Sequence, residues 1–294
     1  MSALEIRGLQ KYFPTFKLGP LDMTVPDGAI YGFVGPNGAG KSTTIDLIFG
    51  MGAKDAGEIR VLGLDHLRDE VAMKQQVGYV SPDLNYSPWG KVGRVIQFVK
   101  GFYPTWDEAY CEDLLRALHV GRQERVMSLS FGARIKLSLI LALAWRPKLL
   151  ILDEPLVGID AISKQELFRE LLAAVGNGER SVLISSHGLA DIERFADHLG
   201  MIKNGRMMFE GATADMIARH RIVDFVADRG HAITERDGVF VQRRDANRWR
   251  VLLDLQQAPL DWLRQSGATQ ISDTPVTLEE LFVAMGREDR KSVV

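Results

Sequence analysis

The chain has 294 residues, 46% apolar and 25% charged, with a formal net charge of -2 at pH 7. This composition is typical of a globular protein with a large core, and the missing positive excess argues against non-specific nucleic-acid binding. Cys111 is the only cysteine, which excludes an intramolecular disulfide and a cysteine-based metal site and favours a reducing compartment. The length predicts one large domain with a smaller appendage.

The first residues, MSALEIRGLQKYF, lack the basic region and apolar run of a secretory signal. The longest apolar run extends only from Leu137 to Trp145, whereas a transmembrane helix needs about 20 residues. We therefore expect that, if the protein acts at a membrane, another subunit supplies the membrane spans.

Short runs typical of strands alternate with helical runs along much of the chain. The strand-like runs are AIYGFVG, QVGYVS, KLLILDEP and SVLISSH. The helical runs are STTIDLIFG after the first of them, SKQELFRELLAAV after the third and GLADIERFA after the fourth. This alternation predicts an α/β fold, a mainly parallel sheet with helices packed on it. KLLILD and SVLIS are almost wholly apolar, which is typical of central strands covered on both faces. Asn204-Gly205 predicts a hairpin turn between HLGMIK and RMMFEG.

Two segments depart from this alternation. Residues 85–146 have helical spacing, as in DEAYCEDLLRALHV, and predict a helical subdomain inserted into the α/β core. From about residue 221, GVFVQ and RWRVLLDL predict strands, and PLDWLRQ and TLEELFVAMG predict helices. We therefore predict a main domain over 1–220 and a small α+β accessory domain over 221–294, whose tail REDRKSVV is disordered.

The stretch GPNGAGKST follows a predicted strand and opens a predicted helix, which is the context of a P-loop. Its glycines let backbone N–H groups turn toward phosphates, and the helix N-terminus adds its positive dipole end. Lys41 is expected to reach the β- and γ-phosphates of ATP, and the Ser42 hydroxyl is expected to bind Mg²⁺. A glycine-rich turn without a ligand is the alternative. The predicted cradle consists of Gly35, Pro36, Asn37, Gly38, Ala39, Gly40, Lys41, Ser42 and Thr43.

Two acidic residues end the apolar strand in LLILDEP. We expect Asp153 to hold the magnesium shell and Glu154 to polarise the attacking water. Alone, such a pair would more often form a turn or a helix cap. Beside a P-loop, it predicts hydrolysis of a nucleotide triphosphate.

The stretch LSFGA, residues 129–133, makes the resemblance specific. Together with GPNGAGKST, LLILDEP, GID and SSH in this order, it resembles the ATP-binding subunit of an ATP-binding cassette (ABC) transporter. The resemblance covers roughly residues 2–215 and is greatest to the single-cassette subunits of bacterial exporters that pair with a separate permease. It implies a P-loop NTPase fold and a head-to-tail dimer that holds two ATP molecules.

The resemblance also implies roles for individual residues. Ser130 and Gly132 match the signature motif that contacts ATP held by the opposite subunit, and Asp160 matches the D-loop between the two sites. His187 matches the switch histidine that senses the γ-phosphate, and Tyr12 matches an aromatic residue that stacks on adenine. Ser130 is also a good helix N-cap, a histidine after a strand is often structural, and Tyr12 could be ordinary packing with Phe13 in its place.

Two motifs depart from the family pattern. Pro82 stands where the glutamine of the glutamine loop is expected, so its role is lost or moves to Asp83. Phe131 replaces the first glycine of LSGGQ and Ala133 its glutamine. We expect these changes to lower turnover without preventing ATP binding.

The resemblance predicts an ATPase subunit of an exporter, on the cytoplasmic face of the inner membrane and with no nucleic-acid partner. A soluble ABC protein that acts on ribosomes or DNA, and a nucleotide-dependent regulator without turnover, are the alternatives. The aromatic segment 84–103 is expected to touch the permease, with Trp89 as the contact candidate. The helical spacing of Phe98 and Phe102 favours the subdomain's own core instead.

Overall fold

The structure is a computed structural model that describes residues 2–176, 178, 180–193, 195–227 and 237–286. The chain forms two compact units. The first comprises Met1–Gly188 and Phe195–Glu210, and the second comprises Leu189–Arg194 and Gly211–Val294. The division into domains 1–220 and 221–294 stays a prediction, and the tail REDRKSVV lies outside the described residues.

The first unit contains two sheets and a helical region. Its strands are β1 (Ser2–Tyr12), β2 (Lys17–Pro26), β3 (Ile30–Val34), β4 (Ala56–Val61), β5 (Leu64–Asp65), β6 (Val77–Val80), β7 (Leu149–Leu152), β8 (Ser181–Ser186), β9 (His198–Lys203) and β10 (Arg206–Ala212), the last of which ends at the border of the second unit. Its helices are α1 (Lys41–Ile48), α2 (Glu70–Lys74), α3 (Val92–Lys100), α4 (Glu108–Ala117), α5 (Phe131–Leu143) and α6 (Ala161–Val175), with 3₁₀ turns at Ser87–Trp89 and Val126–Ser128.

The predicted parallel sheet is confirmed. It has six strands in the order β10-β9-β3-β8-β7-β6, and β3, β6, β7, β8 and β9 pair in parallel. Every residue of β7 and β8 is buried, as their apolar sequences predict. The turn at Asn204-Gly205 joins β9 to β10, and both residues have the positive φ that a two-residue hairpin turn requires.

A second, antiparallel sheet was not predicted. Its strands lie in the order β2-β1-β4-β5, and the pairing of β1 with β2 and with β4 is interrupted by register shifts. These irregularities blur the two-residue alternation by which an antiparallel strand is recognised in sequence. One hydrophobic core joins this sheet to α1 and the parallel sheet. It contains Leu4, Ile6 and Met23 of the antiparallel sheet, Ile45 of α1 and Phe33 of β3.

The segment 85–146 is helical, with α3, α4 and α5 as its main elements. In α4, Leu114 and Leu115 are buried with the following Leu118, as the predicted stripe requires. The apolar run from Leu137 lies in α5, whose residues 135–143 are all buried. In the part of the chain that the structure describes, no helix is long and apolar enough to cross a membrane.

The expectation that Phe98 and Phe102 belong to the subdomain core is wrong. Their exposed fractions are 42% and 60%. Phe98 stacks on Trp89, with ring centroids 3.7 Å apart, and Phe102 packs edge-on against Phe98 at 5.0 Å. Helical spacing related Phe98 to Phe102, which lies two residues after the end of α3, but could not show which neighbour would cover the two rings.

The second unit is α+β. It contains α7 (Leu189–Ile192), α8 (Thr213–Arg219), β11 (His220–Val226), β12 (Val239–Asp245), β13 (Arg248–Asp254), α9 (Leu260–Gln265), β14 (Thr269–Pro275) and α10 (Leu278–Gly286). The strands form an antiparallel sheet in the order β12-β13-β11-β14. The predicted strands in GVFVQ and RWRVLLDL are confirmed, whereas β11 and β14 were not predicted. The sheet buries a separate core that includes Val223, Phe225, Trp249, Val251 and Leu263.

The ion pair between Arg219 and the buried Asp254 in the second unit is expected to stabilise the folded state. Asp254 is buried, and Arg219 donates Nε–H to its Oδ1 at 2.6 Å and bonds Oδ2 through its second nitrogen. Burial raises the pKa of Asp254, but the hydrogen bonds from Arg219 and the Gln256 amide, together with the charge of Arg219, outweigh it, and the pKa lies below its ordinary value. We expect Arg219→Ala to lower the free energy of unfolding by about 3 kcal/mol, because it strands a buried carboxylate. Urea unfolding measures this change.

Arg250→Ala is the matched control for Arg219→Ala. Arg250 Nε lies 3.9 Å from Asp224 Oδ1, and both side chains are about half exposed. Removing such a pair is expected to cost less than about 1 kcal/mol. An equal loss of unfolding free energy in the two variants would show that the pair of Arg219 and Asp254 contributes no more to stability than an exposed ion pair.

Candidate nucleotide-binding site

The candidate site lies at the carboxyl edge of the parallel sheet, where the predicted motifs leave neighbouring strands. Val34 at the end of β3 pairs with Ser186, and Leu152 at the end of β7 pairs with Ile184 of β8. The loops after β3, β7 and β8 therefore begin side by side. In open parallel sheets this edge is where ligands bind.

The P-loop begins directly after β3 and ends in α1. The Gly35 amide donates to Ser186 O at 3.2 Å, and a Cβ at Gly35 would lie only 2.2 Å from Ile202 O, so the backbone is packed too closely for a side chain. Gly40 is the N-cap of α1 with φ 111°, and no side chain caps the helix. The first N–H groups of a helix have no partner within the helix, and here they remain available to an anion.

Lys41 is nearly buried, with an exposed fraction of 5%. Its Nζ donates to Gly35 O at 2.7 Å and to Pro36 O at 3.3 Å, and lies 3.0 Å from Glu154 Oε1. Two carbonyl groups of the P-loop thus hold the ammonium group of Lys41, and Glu154 contacts it from the loop after β7. A buried ammonium needs such partners, because an unpaired charge away from water is costly.

Asp153 and Glu154 follow β7, as predicted. The Asp153 amide donates to Val80 O at 2.8 Å, and the side chain has an exposed fraction of only 8%. Glu154 has φ 47°, in the left-handed region that a residue with a side chain seldom adopts. Its amide donates to Ser185 Oγ at 2.8 Å, and the same hydroxyl donates to Asp153 Oδ1 at 2.6 Å.

The carboxylate of Glu154 is shared between two cationic or donor side chains. Oε1 faces Lys41, and Oε2 lies 2.8 Å from His187 Nδ1 and accepts from the His187 amide at 3.3 Å. Burial raises the pKa of Glu154, but the hydrogen bonds from His187 and Lys41 outweigh it and bring the pKa below its ordinary value. Glu154 is therefore ionised at neutral pH, and because a carboxylate only accepts, His187 Nδ1 donates.

The signature motif and the D-loop lie close together within the chain. Ser130 is exposed and is the N-cap of α5, where its side chain accepts from the Ala133 amide at 3.1 Å. Asp160 caps α6 through bonds from the Ile162 and Ser163 amides, which lower its pKa. A Cβ at Gly132 would lie 3.8 Å from an Ile159 side-chain atom, so this backbone is less crowded than Gly35.

Phe131, which replaces a signature glycine, packs toward the D-loop. A Cβ at Gly158, which has φ 71°, would lie 3.3 Å from the Phe131 ring. The Phe131 side chain is more than a third exposed. The substitution thus places an aromatic ring where LSGGQ has only backbone.

Tyr12 ends β1 and has an exposed fraction of 49%. Lys17 Nζ lies 4.9 Å from the centre of its ring, and its hydroxyl bonds to Gln10. The aromatic residue that reaches the P-loop is Phe16, whose ring would lie 3.1 Å from a Cβ at Gly40. Tyr12 as the adenine-stacking residue stays a prediction.

Asp83 of the altered glutamine loop, the alternative to the missing glutamine, lies near an acidic residue of α1, Asp46, that the sequence did not single out. Burial and the neighbouring carboxylates of Asp153 and Asp83 raise the pKa of Asp46 in α1. Negative charge from Asp83 and from Asp153 therefore acts on the same group, Asp46, although Pro82 occupies the glutamine position. In the described residues, no group of three acidic or histidine side chains has the geometry to hold a metal by itself.

Comparison with known proteins identifies the family. The family model described as ABC transporter matches residues 18–157. The lantibiotic transport ATP-binding protein SrtF of Streptococcus pyogenes is 33% identical over 214 residues, which cover 70% of this chain and 90% of that protein. The chain belongs to the ATP-binding proteins of the ABC transporter family.

Two further likenesses extend this ABC assignment. The Nod factor export ATP-binding protein I of Rhizobium etli is 28% identical over 304 residues, which cover 99% of this chain and 96% of that protein. A solved ATP-binding subunit of an ABC transporter matches with a TM-score of 0.67 and 27% identity, over 74% of this chain and 92% of that one. The α/β P-loop fold of the predicted class is thereby confirmed, and ATP is the nucleotide that such domains bind.

The structure brings some predicted site residues into contact and leaves others apart. Lys41, Glu154 and His187 meet at one carboxylate, with Asp153 joined to Glu154 through Ser185. Ser130, Gly132 and Asp160 have contacts with their own helices and the adjoining loop, but no described contact with that carboxylate. Ser185 was missed, although its place two residues before His187 at the end of an apolar strand was the available signal.

Proposed function

We propose that this chain hydrolyses ATP to power a separate integral membrane permease in a bacterial ABC exporter. The observation that carries the proposal is the Glu154 carboxylate, ionised and held 3.0 Å from Lys41 Nζ and 2.8 Å from His187 Nδ1. A nucleotide-binding regulator without turnover would not need an ionised carboxylate beside the P-loop lysine. The name of the Rhizobium etli relative, a Nod factor export protein, supports export as the direction.

ATP binds to the backbone of the P-loop and to the side chains of Lys41 and Tyr12. Lys41 exchanges Glu154 for the β- and γ-phosphates, because a polyphosphate offers the ammonium group more negative charge than one carboxylate does. The helix N-terminus of α1 and the backbone of the loop hold the remaining phosphate oxygens. Tyr12 supplies an exposed ring for adenine. The binding set is Gly35, Pro36, Asn37, Gly38, Ala39, Gly40, Lys41, Ser42, Thr43 and Tyr12.

Mg²⁺ is held by the Ser42 hydroxyl and the Asp153 carboxylate. Oxygen donors of this kind suit a hard cation, and Asp153 has one oxygen fixed by Ser185 and the other free of any described protein partner. When bound, Mg²⁺ neutralises charge on the phosphates. Ser42 is exposed in the first turn of α1.

Glu154 acts as the catalytic residue toward water. Lys41 moves to the phosphates, and His187 keeps its bond to Oε2, which leaves Oε1 to accept a hydrogen bond from the attacking water. As the water oxygen bonds to the γ-phosphorus and the bond to the bridging oxygen breaks, Glu154 takes one water proton and returns it to the departing phosphate, and ADP and phosphate leave. The bond from His187 that helps to lower the pKa of Glu154 is retained, which keeps the carboxylate ionised and able to accept this hydrogen bond at neutral pH.

Two chains, as a homodimer or as a heterodimer with a second ATP-binding subunit, sandwich two ATP molecules head to tail. Ser130 and Gly132 face the γ-phosphate held by the other chain, and Asp160 links the two sites. The exposed start of α5 supports this role, because a helix N-terminus attracts an anion. The chain acts at the cytoplasmic face of the inner membrane and binds no nucleic acid.

The permease contacts the aromatic cluster of Trp89, Phe98 and Phe102. These rings stack on one another and are exposed, and clustered exposed aromatics are typical anchors of protein interfaces. We expect Trp89→Ala to weaken binding to the permease about 30-fold, the loss that corresponds to an interface hot spot of ~2 kcal/mol. Co-purification with the permease in mild detergent measures it.

Val283→Ala is the control for Trp89→Ala. Val283 is a similarly exposed apolar residue in α10 of the second unit. Its loss is expected to leave co-purification unchanged. If both variants retain the permease equally, the aromatic cluster is not the interface.

The first test of the proposed function is isolation of the chain from its native cells in mild detergent, with mass spectrometry of its partners. A polytopic membrane protein is the expected partner. Ribosomal or DNA-bound partners would contradict transport but leave the ATP chemistry intact. Phosphate release by the purified chain tests hydrolysis separately.

A further inference from the structure

Ser185 is a buried hydroxyl that touches both acidic residues of the candidate site. It is the last but one residue of β8, and its exposed fraction is 0%. β8 lies between β3 and β7, the strands that lead into the P-loop and into Asp153. The hydroxyl is thus at the centre of the carboxyl edge, where two functional loops meet.

The two hydrogen bonds of Ser185 have only one possible direction. Its Oγ lies 2.8 Å from the Glu154 amide, which can only donate, and 2.6 Å from Asp153 Oδ1, which can only accept when ionised. The hydroxyl proton therefore goes to Asp153, and a lone pair of the same oxygen receives the Glu154 N–H. The Ser185 side chain thus bonds both to Asp153, the predicted magnesium ligand, and to Glu154, the residue predicted to polarise water.

These bonds fix orientation as well as position. The bond to Oδ1 restricts rotation of the Asp153 carboxylate and leaves Oδ2 without a described protein partner. The bond to the Glu154 amide holds a peptide whose φ of 47° is disfavoured for a residue with a side chain, and surrounding structure must maintain such a conformation. That conformation is the one in which Glu154 reaches both Lys41 and His187.

We propose that Ser185 is a positioning residue that orients Asp153 toward Mg²⁺ and Glu154 toward water. The inference rests on the proposed ATP hydrolysis and deepens it. Partners that orient a metal-ligating carboxylate commonly change metal affinity or activity by about 10- to 100-fold when removed. Ser185 acts through the two acidic residues and does not itself touch the nucleotide.

Ser186 provides a matched control next in the chain. It is also buried, but its hydroxyl donates to Gly188 O at 3.1 Å and accepts from the Gly188 amide at 3.0 Å. In the described part of the chain it has no contact with either acidic side chain. Ser186→Ala therefore removes the same group from the same strand without releasing Asp153 or Glu154.

The experiment compares the wild-type chain with Ser185→Ala, Ser185→Thr and Ser186→Ala. ATP affinity is measured in Mg²⁺ and in EDTA, and phosphate release is measured against Mg²⁺ concentration. Ser185→Ala is expected to raise the half-saturating Mg²⁺ concentration or lower kcat by about 10- to 100-fold. Its ATP affinity in EDTA is expected to match wild type, because the P-loop is untouched. Ser185→Thr keeps the hydroxyl and is expected to recover most of the rate.

Three results would overturn the role of Ser185. They are wild-type Mg²⁺ dependence and rate in Ser185→Ala, an equal loss in Ser186→Ala, and a loss that follows only the fraction of unfolded protein. The affinity measurement separates this inference from the proposed function. If the wild-type chain releases no phosphate, the proposed hydrolysis fails, yet a gain in ATP affinity from Mg²⁺ that Ser185→Ala loses would still support positioning.

Discussion

Glu154→Gln is expected to slow ATP hydrolysis by about 10²- to 10⁴-fold, the range that a general base contributes. Glutamine has nearly the same shape, but its neutral amide cannot accept the proton of the attacking water and attracts Lys41 less. Lys41 still reaches the phosphates, so ATP affinity is expected to stay within a few-fold of wild type. Phosphate release and equilibrium ATP binding are the two measurements.

The same variant tests the proposed dimer. With hydrolysis blocked, ATP and Mg²⁺ are expected to hold two chains together, so Glu154→Gln should elute at twice the mass of one chain in size-exclusion chromatography. Glu279→Gln, an exposed change in α10, is the control and should behave like wild type. Wild-type turnover in Glu154→Gln would remove Glu154 from the chemistry.

Lys41→Ala is expected to weaken ATP binding by roughly 10- to 150-fold. The estimate takes one charge-assisted hydrogen bond to phosphate as about 1.5–3 kcal/mol, with 1.4 kcal/mol for each factor of ten. The variant also removes the ion pair with Glu154, whose carboxylate then keeps its hydrogen bond with His187. Titration with ATP, followed by calorimetry or by a fluorescent analogue, measures the loss.

Lys74→Ala is the control for the loss of a lysine. Lys74 forms an exposed pair with Glu70 in α2, which contributes little to stability. Its removal is expected to leave ATP affinity unchanged. An unchanged affinity in Lys41→Ala, with the fold intact by circular dichroism, would mean that the P-loop lysine does not bind phosphate here.

Local features of the sequence were sufficient for much of the fold. The P-loop prediction needed only a short run in which glycines permit unusual backbone and a lysine follows them, and the structure has that run between β3 and α1. The apolar runs around Leu149 and Val182 predicted central strands, because strands covered on both faces are composed mostly of apolar residues. Both inferences depend on residues that are neighbours in sequence.

The same reasoning failed where contacts join distant segments. Phe98 lies in α3 and Phe102 lies two residues after its end, and their helical spacing could not show that both rings stay exposed. The antiparallel sheet of β1, β2, β4 and β5 went unpredicted because register shifts interrupt its alternation.

By itself, the sequence determined which chemical groups this protein can use: the P-loop with Lys41, the acidic pair after β7, and His187 after β8. Only the tertiary structure decided how they meet. Insertion of β8 between β3 and β7 places Ser185 against Asp153, 32 positions away in sequence, and His187 against Glu154, 33 positions away. Strand order follows from the crossover connections and the packing of the whole sheet, so it cannot be derived from any single motif.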